Sequence, residues 1–100
     1  MAPVPKRFFR GSAPTTQTAV YVVPTGAQGI ITNIVVTNSA TTAASILIRI
    51  GAIAIVPNTP IPANGVFTLD ISQVMQEGTM VDVQGSSTAL GVHISGVEVL

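Results

Sequence analysis

The sequence predicts an all-β fold, a seven- to eight-stranded antiparallel β-sandwich with an extended N-terminal arm. Three observations predict it. Short apolar runs rich in Ile, Val and Thr recur along residues 17–100, turn residues separate them, and apolar and polar residues alternate within several of them. Alternation with period two places one side-chain set on a core and the other on solvent. Regularly spaced short strands are the pattern of a sandwich or barrel. A jelly roll is one such topology, and a closed barrel satisfies the same alternation.

Residues 1–16 read as the arm. Pro3, Pro5 and Pro14 interrupt any ladder and no period is visible. Residues 17–100 form the sandwich domain. Strands are expected at about Thr18–Val23, Ile30–Thr37, Ser45–Ile50, Ala52–Val56, Val66–Ile71, Thr79–Gln84 and Leu90–Val99. Pro24-Thr25-Gly26 supplies a turn, proline presetting φ and glycine accepting a positive one. Asn38 to Ala44 is a loop of small polar residues. Asn58 to Gly65 reads as a longer connection, because Pro60 and Pro62 exclude a central strand.

Two elements are less regular. Ser72-Gln73-Val74-Met75-Gln76-Glu77-Gly78 reads as one or two helical turns, with Asp70 or Ser72 as a cap and Gly78 as the stop. In the last strand Val92 and Ile94 share a face, while Val97 and Val99 fall in the opposite phase. A bulge at Ser95-Gly96 would bring all four to the same side.

Composition bears on function more directly. Charged residues make up 8% of the chain, against a usual share of about 25%. So small a domain has much surface to cover, and few charges to cover it with. Burial against partners accounts for this better than a free monomer does. The charges are also divided. Lys6, Arg7 and Arg10 lie in the arm, whereas from Gly11 onward Arg49 stands alone against Asp70, Glu77, Asp82 and Glu98.

Several function classes lose support. The chain has no cysteine, and one histidine with four carboxylates is a thin supply for a metal site. His93 lies on a strand between Val92 and Ile94, and no G-x-S-x-G elbow exists to build a triad around it. No catalytic residue, cofactor or metal is expected. The longest apolar stretch, Ile46 to Pro57, contains Arg49 and Gly51 and falls short of the roughly 20 residues a bilayer needs, so no membrane partner is expected. The N-terminus lacks the apolar segment of a secretory signal.

Lys6-Arg7-Phe8-Phe9-Arg10 is the sharpest local feature. Three cations on a short arm could neutralise few phosphates, which argues against a nucleic-acid partner. Two adjacent phenylalanines are costly to leave in water. Lys6, Arg7, Phe8, Phe9 and Arg10 are therefore the expected protein interface, with packing of the arm on its own body as the competing reading. On the docking reading, deleting residues 1–12 leaves the sandwich folded.

Tyr21-Val22-Val23-Pro24-Thr25-Gly26, with Ile31, Ile34 and Val36-Thr37-Asn38, resembles small β-sandwich virion structural proteins of tailed bacteriophages. Ile61-Pro62-Ala63-Asn64-Gly65 before Phe67 and Leu69 fits the same pattern. So do Gln76-Glu77-Gly78 before Met80 to Val83, and the closing Val92 to Val99. The resemblance covers about residues 18–99 and excludes the arm. It implies a multicopy virion protein, assembled in the host cytoplasm, of capsid decoration or cement type. Such a protein would form a homo-oligomer, expected to be a trimer, docked on a major capsid protein or another virion protein. A tail, neck or fibre component is the alternative. A carbohydrate-binding host-recognition module is the alternative of another class, weakened by the lack of Trp and the single Tyr.

Overall fold

Eight antiparallel strands form two four-stranded sheets packed face to face in the computed structural model, which describes residues 3–99. In chain order they are β1 (Pro3–Ser12), β2 (Thr18–Val22), β3 (Gln28–Asn38), β4 (Ala44–Ile50), β5 (Ile53–Ile61), β6 (Val66–Met75), β7 (Met80–Gly85) and β8 (Leu90–Val99). Sheet 1 has the order β1-β8-β3-β6 and sheet 2 the order β2-β7-β4-β5. Successive strands thus alternate between the sheets, except that β4 and β5 are neighbours in sheet 2, which is the jelly-roll arrangement. The predicted sandwich is the observed one.

The inner faces carry the alternation read from the sequence. Ile31, Ile34 and Val36 of β3 and Leu90, Val92 and Ile94 of β8 meet Ile46 and Ile48 of β4 and Val81 and Val83 of β7, and all are buried. Asn38 is the exception at the end of β3, and its polar atoms are matched. Its Nδ2 donates to the carbonyls of Thr42 and Ile61, and its Oδ1 accepts from the amide of Ala40. Burial of an amide is tolerated when its partners are in place.

Four expectations need correction. First, the described part of the arm is a strand. Residues 3–12 pair with β8 along their whole length, and Phe8 belongs to the core at 6% exposure. An edge strand tolerates Pro3 and Pro5 because its outer side needs no ladder donors. Residues 1, 2 and 100 of the expected arm and body lie outside the described range.

Second, Ser72 to Met75 continue β6 rather than turn into a helix. Met75 and Gln73 pair with Gly29 and Ile31 of β3, and this pairing with a distant strand outweighs the local cap signals. Only Gln76 to Thr79 turn, closed by the Thr79 amide on the Gln76 carbonyl, with Gly78 at φ 82°. Third, Asn58 to Ile61, expected in the connection to Gly65, belong to β5, whose edge position accepts Pro57 and Pro60 for the same reason as β1.

The fourth correction concerns β8. Register shifts do cross sheet 1 near Ser95 and Gly96, but the extra residues are Phe8 on β1 and Thr32 on β3. β8 itself keeps its phase to the end. Gly96 and Glu98 therefore face inward, while Val97 and Val99 face out.

Candidate interaction surface

β1 presents its expected interface residues to two different places. The bulge at Phe8 turns both phenylalanines inward, Phe8 fully and Phe9 partly. Lys6 also lies on the inner side, opposite Gly96. Arg7 and Arg10, opposite Ser95 and His93, point outward and are exposed. The set read as one interface is thus divided between the two sides of β1, with Phe8 in the core and Lys6 exposed at the sandwich edge.

The inward part closes the gap between the sheets. Lys6 Nζ lies 3.1 Å from both oxygens of Glu98, and the Tyr21 hydroxyl donates to the same carboxylate from the opposite sheet. The Tyr21 ring packs on Phe8 with centroids 4.5 Å apart and planes tilted by 41°, and the Lys6 ammonium sits 5.7 Å from its centroid. Hydrogen bonds from Tyr21 and then Lys6 hold the Glu98 carboxyl below its usual value. Burial, reinforced by the negative Glu98, raises the Tyr21 phenol well above its own. The group is a latch between β1, β2 and β8. Its chemistry is structural, since the Glu98 carboxylate is already engaged by two donors within the chain.

The outward part belongs to a continuous surface. On the outer face of sheet 1, register places Pro5, Val97, Ile30 and Val74 in one row across all four strands. The adjacent outward row is Arg7, Ser95, Asn33 and Asp70, and the one beyond it is Arg10, His93, Val35 and Thr68. Val74 is 60% exposed. Asp70 accepts a hydrogen bond from Asn33 Nδ2 at 2.9 Å. The face therefore carries an apolar row, with cations near its β1 edge and a carboxylate on its β6 edge.

Sequence reasoning missed Glu98, Tyr21 and the outward valines. The signal available was the phase of Val97 and Val99, which a straight β8 explains without a bulge.

The outer face of sheet 2 differs. Arg49 pairs with Asp82 at 3.2 Å, and Gln17 Nε2 donates to the same carboxylate oxygen. Nearby, an open depression of about 300 Å3 is lined by Thr15, Ser45, Asn58, Gln84 and Ser86, with no aromatic or charged side chain. His93, Asp82 and Glu98 fall on three different faces of the sandwich. No group of three or more His, Cys, Asp or Glu among the described residues is placed to hold a metal ion.

No protein-family model matches the chain, and no curated protein matches it. Two solved structures of a pentameric capsid protein isolated from metagenomic phage sequences are similar to it, each 16% identical, with TM-scores of 0.35 and 0.36. The matches cover 90% of this chain but 60% and 58% of the capsid chains. This chain thus spans about three-fifths of the length of the capsid proteins it resembles, and the resemblance is distant.

Proposed function

We propose that this chain is a structural component of a phage particle, of the capsid decoration or cement type, which associates with copies of itself and with the shell. The observation that carries the reading is the outer face of sheet 1, whose apolar row spans four strands in a chain with 8% charged residues. Apolar tracts of this kind on a small domain mark protein contacts. The jelly-roll order is compatible with the reading, as the fold serves many capsid domains, but fold alone does not set function.

Within the expected interface, Arg7 and Arg10 are the residues that would meet a partner, since Phe8 is buried and Lys6, though exposed, is paired with Glu98. A carbohydrate-binding role finds less support. Tyr21 and Phe8 face each other between the sheets, and the open depression on sheet 2 offers no aromatic for a sugar ring.

The test is the solution mass by light scattering from micromolar to millimolar concentration. A stable multiple of 10.2 kDa supports a particle-building protein. A single-chain mass over the whole range overturns the self-assembly on which the reading depends.

A further inference from the structure

We infer that the outer face of sheet 1 is the contact between two copies of this chain, related by a two-fold axis that runs along the strands between β8 and β3. The inference rests on the assembly reading above and says which surface performs it.

The argument comes from register. A half-turn about that axis exchanges β1 with β6 and β8 with β3, and leaves every row at its own height along the strands. Arg7 and Asp70 occupy one row at opposite edges, through Arg7–Ser95, Ser95–Asn33 and Asn33–Asp70. Each Arg7 is therefore carried over the Asp70 of the second copy, twice in the pair. In the apolar row Pro5 comes over Val74, and Val97 over Ile30. In the row of Arg10, the cation meets Thr68 and His93 meets Val35. No like charges are opposed.

The other in-plane axis, perpendicular to the strands, fails this test. It lays β1 over β1, so Arg7 and Arg10 of one copy face the same basic edge of the next. Like charges brought together in a contact are strongly unfavourable. Charge placement thus selects one of two possible two-fold arrangements. Aligned sheets cross at about −30°, which shifts edge residues by a few ångströms, within the reach of an arginine side chain.

Area is sufficient. Four strands of about ten residues, at roughly 3.3 Å per residue and 4.8 Å between strands, give a footprint on the order of 600 Å2 per copy. Two copies together then reach the lower end of the roughly 1,200–2,000 Å2 that stable contacts bury. The ends of this elongated molecule, 45 × 21 × 18 Å, are much smaller than its side. A two-fold pair, rather than the trimer expected from the sequence, is then the unit of assembly.

Charge reversal tests it, read as oligomer mass against concentration, with circular dichroism to confirm folding. Arg7→Asp and Asp70→Arg each place two repulsive pairs in the contact and are expected to weaken it about a hundredfold. Arg7→Asp combined with Asp70→Arg restores the pairs and is expected to return the affinity, as is mixing the two single variants. Val97→Glu, in the apolar row, is expected to leave a folded monomer. An oligomer insensitive to all these changes overturns the two-fold face but leaves the assembly reading standing. Loss of affinity without recovery in the double variant overturns the Arg7–Asp70 pairing. A wild-type protein that is monomeric throughout overturns both the face and the assembly reading.

Discussion

The Tyr21 hydroxyl donates to the Glu98 carboxylate across the gap between the two sheets, and the same carboxylate receives the Lys6 ammonium within sheet 1. One acidic group thus ties the first, second and last strands together.

This predicts a stability profile that falls off on both sides. The carboxyl of Glu98 is lowered in the folded state, so its contribution is fully present above the ordinary value of 4.5 and is lost as the pH falls through the lower folded value. The phenol of Tyr21 is raised, so its contribution is fully present below 10.0 and is lost as the pH climbs past that. Urea unfolding at a series of pH values checks this. Glu98→Gln is expected to flatten the acid branch, and Tyr21→Phe the alkaline one. An acid branch unchanged in Glu98→Gln would assign it to other carboxylates.

Gly96 is expected to tolerate no side chain. A β-carbon there would lie 1.9 Å from the carbonyl oxygen of Ile30 and 2.9 Å from the Phe8 ring. Gly96→Ala should cost about 3 kcal/mol in urea unfolding, the upper range for overpacking. Adding Phe8→Leu should not rescue it, because the nearer obstacle is backbone.

Phe8 and Phe9 are expected to differ. Phe8→Ala removes a ring from the core and should cost about 3–5 kcal/mol by urea unfolding. Phe9 is half-buried and its truncation should cost less. For the same reason, deleting residues 1–12 should destabilise the sandwich, contrary to the expectation from the sequence. It strips an edge strand from β8 together with Phe8.

The β4–β5 hairpin offers a stabilising change. Gly51 and Ala52 both have positive φ, 58° and 67°. That geometry favours glycine or asparagine over alanine. Ala52→Gly should raise stability by about 0.5–1 kcal/mol, since relief of the left-handed strain exceeds the added freedom of the unfolded chain. Thermal unfolding checks the sign.

The strands after residue 17 were legible because their alternation is local. Ile46, Ile48 and Ile50, or Phe67, Leu69 and Ile71, declare a face within five residues. β1 was hidden by its prolines and by a bulge that puts adjacent Phe8 and Phe9 on the same side, which defeats any count by twos. The end of β8 was misread because an inward carboxylate is tolerable only with partners, and these lie 92 and 77 positions away in Lys6 and Tyr21. The supposed helix failed on the same ground. Its cap was local, and the strand that captured it was not. The outer face of sheet 1 could be assembled only once four separate segments had been placed in register.

The strand order also sets when this protein can fold. β1 is hydrogen-bonded in its sheet only to β8, and β8 separates it from β3. During synthesis β1 therefore waits for β8, in a segment far along the chain, before it has a ladder partner. Sheet 1 cannot close until β8, Leu90–Val99, is free to enter between β1 and β3. Pairing across so much sequence is slow, on the scale of milliseconds to seconds for all-β topologies. Until then the Phe8 ring and the inner face of β3 remain open to neighbouring chains. The interval before β8 arrives is when wrong partners compete with the right one.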